Sequence, residues 1–318
     1  MNSRITLVHG APIPARDWLM LVGLSFLWGG SFFFYKLLAP VLPPFTLVLG
    51  RVGIAALVLH AVLLARGNPL RPTPRLVGWF LLLGALSSAL PFCLFAWSEQ
   101  RISSGLAAIL NSPTPIVTAL VAHFATRDER LTWRTLVGAI FGLAGVLVLI
   151  APSLPVGGMS GSGVSDLLPE LACVGATITY AVGGVLARRV HGVAPLQFAA
   201  GQMSGAAIVT LPFAVFGDRF WTLPPLPASG WAALLGIALL STALAYLLYF
   251  RILASSGATR AAMVTFLVPV SALLLGVAFL AEPVTARDIA GIAIIGAGLA
   301  VIDGRMLRVL RRRPRVAE

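Results

Sequence analysis

Stretches free of Asp, Glu, Lys and Arg recur along this chain: Trp18 to Tyr35, Leu76 to Ser98, Ile102 to Thr126, Val190 to Gly217 and Ala261 to Ala281. Each is close to the roughly 20 residues with which a helix crosses a bilayer core. Breaking the chain at charges, Pro/Gly clusters and turn residues predicts ten helices, over 17–38, 44–66, 75–98, 102–124, 132–151, 166–187, 194–216, 229–251, 258–280 and 286–303. The fifth and tenth begin at Thr132 and Thr285, and Thr285-Ala286-Arg287-Asp288 reads as a capping box.

Composition narrows the class. The 318 residues are 58% hydrophobic and 11% charged, whereas a soluble domain carries about 25% charged residues to cover its surface. The pattern is that of a polytopic membrane protein. The net charge of +12 does not make it a nucleic-acid binder, because the arginines stand between apolar runs instead of forming one basic face. The first apolar run is too long for a signal-peptide core and is followed by many more spans. Cys93 and Cys173 fall inside apolar runs and read as buried packing residues, not as a disulfide or metal pair.

The basic residues orient the chain. With the N-terminus in the cytoplasm, 18 of the 23 Lys and Arg lie inside and only Lys36, Arg101, Arg219 and Arg287 lie outside, which leaves Arg51 within a span. That bias follows the positive-inside rule and predicts that both termini are cytoplasmic. The tail around Arg311-Arg312-Arg313 then reads as an orientation signal and an anchor for anionic lipid.

The chain also repeats itself. Gly78-Trp79 through Gly84 to Ser103-Ser104-Gly105 aligns without gaps on Gly230-Trp231 through Gly236 to Ser255-Ser256-Gly257, a shift of 152. Pro44, Gly50 and Arg51 match Pro195, Gly201 and Gln202, while Gly138 and Gly145 match Gly291 and Gly298. Five is odd, so a second copy of five helices enters the membrane from the opposite side. The expected fold is an all-α membrane protein of ten transmembrane helices in two inverted five-helix repeats. The predicted segments are a cytoplasmic stretch over 1–16, repeats over 17–151 and 166–303, a periplasmic linker over 152–165 and the Arg-rich tail over 304–318. Inverted repeats characterise secondary carriers that rock around a midplane site.

Several sequence features resemble one family. They are Trp28-Gly29-Gly30-Ser31-Phe32, Arg51, Ser103-Ser104-Gly105-Leu106-Ala107-Ala108, Glu129-Arg130-Leu131-Thr132 and its repeat Glu282-Pro283-Val284-Thr285. In that order they resemble the EamA-type drug/metabolite transporter superfamily over about residues 17 to 303. Asp128 and Ala281 stand where the family usually has glycine before the loop glutamate. The resemblance implies a multi-pass inner-membrane carrier, often an exporter of small metabolites or drugs. It also implies a central cavity lined mainly by helices 1, 3, 4, 6, 8 and 9. No cofactor is expected.

The candidate site rests on the residues themselves. Asn111-Ser112-Pro113-Thr114-Pro115 interrupts helix 4, and Thr265 and Pro269 lie at nearly the equivalent depth of helix 9. Such paired interruptions mark a carrier's binding site. Asn111 either lines that site or bonds backbone groups freed by the prolines. Trp28 and Ser31, Phe92, Tyr180, and Thr242 with Tyr246 fall on single helical faces. The deep aromatics Trp28, Tyr180 and Tyr246 are expected to clasp the substrate with Asn111, whereas Tyr35, Trp97 and Tyr249 near helix ends read as belt residues. Glu99 and Glu170 are the carboxylates nearest the spans; they read as solvated at the outer rim, with a proton-coupling role as the alternative. Arg51, roughly 10 Å deep at 1.5 Å per residue, reads first as a tie to backbone carbonyls or to Glu99 or Glu170, and second as a receiver of a substrate carboxylate. Few charges near the site disfavour phosphates and favour small apolar, aromatic or zwitterionic metabolites or lipophilic cations.

Rival functions fit less well. An enzyme would need clustered chemistry, yet His9, His60, His123 and His191 lie far apart and none has metal-ligand spacing. A channel would need charge rings or a carbonyl filter. A non-transporting sensor or scaffold has no distinguishing residue signature. The chain is expected to act as a monomer or homodimer.

Overall fold

A computed structural model describes residues 15–125, 132–153, 163–257 and 261–303. The N-terminal segment, the Asp128-Glu129-Arg130-Leu131 signature, most of the linker, the start of the ninth predicted helix and the Arg-rich tail lie outside them.

Prolines and hydroxyls set where helices begin. α1 (Ala15–Leu38) is followed by α2 (Pro44–Ala65), with proline in its first turn. α3 (Pro74–Ser98) starts at Thr73, whose side chain accepts from the Leu76 amide. α4 (Ser104–Asn111) is capped by Ser103, and the break at Ser112 and Pro113 separates it from α5 (Thr114–Ala125). α6 (Trp133–Ile150) is capped by Thr132. The second half continues with α7 (Gly163–Ala187), α8 (Pro195–Gly217), α9 (Ala228–Ser255), α10 (Val264–Leu280) and α11 (Ala286–Asp303). Before α11 the predicted capping box forms: Asp288 accepts from the amide and hydroxyl of Thr285 at 2.9 and 2.7 Å, and the Asp288 amide donates to the Thr285 hydroxyl.

Eight helices among the described residues are long and apolar enough to cross a membrane. Leu19, Leu57, Phe124, Phe216 and Phe279 project outward on their faces. Water would penalise such a surface, whereas acyl chains accept it. The chain is a multi-pass membrane protein.

Helix contacts come in matched sets. α2 packs on α8 and α6 on α11; α1 packs on α10 as α7 packs on α4 and α5; α3 packs on α8 as α9 packs on α2; α3 packs on α7 as α9 packs on α1. Small residues permit the close approaches. A Cβ on Gly29 would meet the Ser271 hydroxyl and the Ala272 backbone of α10, so the glycine lets α1 lie against that helix. Polar ties lie at the ends of the α2–α8 pair. The Asp218 carboxylate accepts from the Thr46 amide and hydroxyl at 2.6 and 2.9 Å, a favourable place for an anion at a helix N-terminus. Gln197 Nε2 donates to Asn68 Oδ1 at 3.0 Å and to the Pro69 carbonyl at 3.3 Å.

Two features refine the expected helices. α3 and α9 are not uniformly α-helical: each contains a π-helical stretch, at Ala85–Ala89 and Gly236–Leu244. Pro269 does not break its helix but lies inside α10, and the interruption sits earlier, at the turn residues 262–263. Pro269 has no amide to return the bond that the Thr265 carbonyl would otherwise accept.

Candidate functional site

The interrupted helices and the π-turns converge on one cavity of about 300 Å³. A π-turn widens the backbone ring and is found mostly at functional positions. In α9 it lets Thr242 Oγ1 donate to the Ile237 carbonyl five residues back, at 2.9 Å. Ser241 then faces the cavity, while Thr242 points toward α2 and accepts from Arg51.

Seven of the eight predicted site residues line this cavity: Trp28, Ser31, Phe92, Asn111, Tyr180, Tyr246 and Thr265. Thr242 does not, and stands behind the wall as a ligand of Arg51. The aromatic walls are coupled. Tyr180 lies 6.3 Å from both Phe92 and Phe95, and Phe95 meets Phe32 edge-on at 5.4 Å. Trp28 packs against Tyr249 at 5.4 Å. Asn111 Oδ1 accepts from the Thr114 hydroxyl at 3.1 Å, and the same hydroxyl donates to the Asn111 carbonyl at 2.6 Å across the break.

Arg51 departs from its expected partners. Its bonds go to neither backbone carbonyls nor Glu99; they go to three hydroxyls. Nε donates to Thr242 at 3.0 Å, Nη1 to Tyr35 at 2.5 Å and Nη2 to Ser31 at 3.3 Å. The reason is helical spacing: Ser31 and Tyr35 are four apart on one face of α1, and the π-turn brings Thr242 to the other side. The guanidinium carbon lies 3.7 Å from the Phe92 ring centroid, within cation–π range. Arg51 is buried and lines the cavity. Gln202, its counterpart in the second half, donates to Ser88 Oγ at 2.9 Å in the π-turn of α3. The two helices that pair at the centre thus each reach a hydroxyl in the π-turn of the opposite half.

Other positions also differ from expectation. Tyr35 is not a belt residue: it is buried, lines the cavity and bonds Arg51. Glu99 and Glu170 are not solvated at a rim, because both are buried. Both oxygens of the Glu99 carboxyl are without a hydrogen-bond partner, and Lys36 donates instead to the carbonyls of Glu99 and Ile102 at 2.9 and 2.8 Å. Burial holds the Glu99 carboxyl well above the usual carboxylate range, with Lys36 opposing, Glu282 reinforcing and Arg51 opposing. Phe32, Phe95, Ser87 and Ser241 line the cavity as well. Of these, Phe95 falls on the same helical face as Phe92, as its spacing in the sequence predicts. No group of three or more His, Cys, Asp or Glu among the described residues is placed to hold a metal.

The profile of the EamA-like transporter family matches this chain twice, over residues 17–151 and 167–303. The protein PecM of Dickeya dadantii is 26% identical over 297 residues, covering 92% of this chain and 93% of PecM. The uncharacterized inner membrane transporter YedA of Escherichia coli K12 is 27% identical over 259 residues, covering 80% of each chain. A solved crystal structure with 21% sequence identity superposes with a TM-score of 0.64 over 94% of this chain and all of its own, so the two share a fold.

Proposed function

Because the chain belongs to the EamA-like transporter family, we propose that it is an inner-membrane secondary carrier that exports small amino-acid-like, aromatic or amphipathic metabolites, or drugs, by alternating access. On this reading its ten transmembrane helices form two inverted repeats, over 17–151 and 166–303, with both termini cytoplasmic. Residues 1–16 form the cytoplasmic lead, 152–165 the periplasmic linker and 304–318 the Arg-rich tail that rests on anionic lipid.

One observation carries the proposal. The first half's interrupted helix, α10 with its internal Pro269 and a π-turn from each half border the same cavity, and a side chain from each half is bonded to the opposite half's π-turn. A carrier needs such an arrangement, in which two similar bodies share a site and the local backbone is already irregular where substrate must be exchanged. The walls supply several aromatic faces and few charges, suited to a small ring-bearing molecule.

Counterflow in proteoliposomes tests this. Vesicles holding purified protein and loaded with a mixture of aromatic amino acids and related ring compounds should take up labelled members of that mixture saturably. Asn111→Ala and Tyr246→Ala should each reduce the flux. Uptake that rises linearly with concentration, or that neither substitution changes, would remove the carrier assignment. Covalent alteration of the label would point to an enzyme.

A further inference from the structure

Arg51 is a cation buried beside an apolar cavity, and its bonded partners are the neutral hydroxyls of Thr242, Tyr35 and Ser31. Hydroxyls solvate a guanidinium but do not neutralise it, and a charge at membrane depth requires compensation. Glu99 does not provide a bonded counter-charge, because neither of its carboxyl oxygens accepts a hydrogen bond.

The donor geometry is specific. A guanidinium carries five N–H groups in one plane. One from each nitrogen is committed to a hydroxyl, which leaves one on each terminal nitrogen, the pair that a carboxylate engages in bidentate fashion. The Phe92 ring, 3.7 Å away, covers one face and fixes that plane. A second group also lacks a partner. The Ser241 hydroxyl lines the cavity, is 1% exposed and makes no hydrogen bond. A buried hydroxyl in that condition is costly unless a ligand completes it.

We infer that Arg51 is the anion-receiving group of the cavity and that the transported molecule carries a carboxylate on a small aromatic or apolar body, with Ser241 as a further donor. This rests on the carrier reading and narrows it. At about 300 Å³ the space suits a single-ring acid or an amino acid, at the small end of ligand pockets. Lipophilic cations, which the scarcity of charges had left open, are repelled by the arginine.

The test compares probes that share a ring and chain: 3-phenylpropionate, its neutral amide, and 3-phenylpropylamine. Binding to the purified protein in lipid nanodiscs is measured by titration calorimetry, at one pH where the acid is ionised. The acid should bind roughly tenfold or more tighter than the amide, the gain expected from a charge-assisted pair of bonds, and the amine should not bind. Arg51→Gln should abolish the preference so that acid and amide bind alike. Should that variant fail to fold, Ser241→Ala removes a hydroxyl that makes no hydrogen bond within the protein. It should weaken the acid at least threefold while leaving thermal stability unchanged. Equal binding of acid and amide to the unaltered protein, tighter binding of the amine, or binding of none of the three overturns the inference. So does an Arg51→Gln protein that retains the preference. The carrier reading fails separately, through loss of saturable counterflow, and survives if the amide or the amine is the probe that is carried.

Discussion

The carboxylate of Glu282 accepts hydrogen bonds from both the amide and the hydroxyl of Ser104, at 2.9 and 2.7 Å. The two residues are 178 positions apart, and the contact ties the loop ahead of α11 to the first turn of α4. A further bond from the Gly105 amide at 3.4 Å completes the cap. An anion at a helix N-terminus is favoured by the exposed amides and by the helix dipole. Room for it comes from Gly276, where a Cβ would collide with the carboxylate. The Glu-x-x-Thr signature of the second half is therefore a clamp that holds the head of the interrupted helix α4 to the end of α10.

Breaking that clamp has a measurable cost. Glu282→Ala should destabilise the protein by about 2 kcal/mol, as expected when charge-assisted bonds are lost at a partly buried site. Ser104→Ala should cost less, because the amide bonds persist. The double variant should be less destabilised than the sum of the singles, since both residues act through one contact. Strictly additive losses in a denaturant titration of detergent-solubilised protein would show that the two act independently.

Close helix packing supplies a second prediction, with its own control. A Cβ on Gly205 of α8 would lie against the Phe80 carbonyl and the Leu81 amide of α3. Backbone cannot step aside as a flexible side chain can, so Gly205→Ala should cost about 1–3 kcal/mol as an overpacking change. Gly53 of α2 has nothing within 4 Å of the same position. There alanine should be neutral or stabilise by up to about 1 kcal/mol through helix propensity. Thermal melts of both proteins in one detergent decide it, and equal shifts would mean that the α3–α8 contact has room for a methyl group.

Helix positions were legible because charges, prolines and hydroxyls punctuate the apolar runs. The predicted 44–66 and the observed Pro44–Ala65 differ by one residue, and the Thr285 capping box closed as its spacing required. Helical faces also assembled most of the cavity, because Trp28, Ser31 and Tyr35 recur at nearly the helical period. That period failed in α9. A π-turn has no residue-type signature, and its extra residue per turn rotated Thr242 out of the lining and Ser241 into it. The Thr242 partner of Arg51 was hidden for the same reason, whereas Ser31 and Tyr35 lie at ordinary helical spacing on α1. The burial of Glu99 was illegible for another, because it depends on neighbours distant in sequence: Lys36 reaches across from α1 to the Glu99 and Ile102 carbonyls. Charge pattern alone makes a residue just past a helix end look solvated.

Glu99 yields a pH dependence whose direction follows from its surroundings. The residue follows the last turn of α3 and is fully buried, with no donor to its carboxyl. Burial raises its folded-state pKa above the ordinary 4.5; Lys36 and Arg51 pull it down, and Glu282 pushes it up. The folded protein therefore holds this proton more tightly than the unfolded chain does. The associated stability is fully present below the ordinary pKa and is lost as pH rises through the raised folded value. Glu99→Gln keeps the neutral shape and cannot ionise, so it should abolish this loss. Melting temperatures of the two proteins should converge in mild acid and separate as pH rises, with the glutamine variant the more stable at alkaline pH. The variant should also leave the Lys36 bonds intact, because they go to main-chain carbonyls and not to the carboxyl. Parallel melting curves across the whole range would mean that Glu99 is as readily ionised in the folded protein as in the unfolded chain, and that its burial is relieved by solvent.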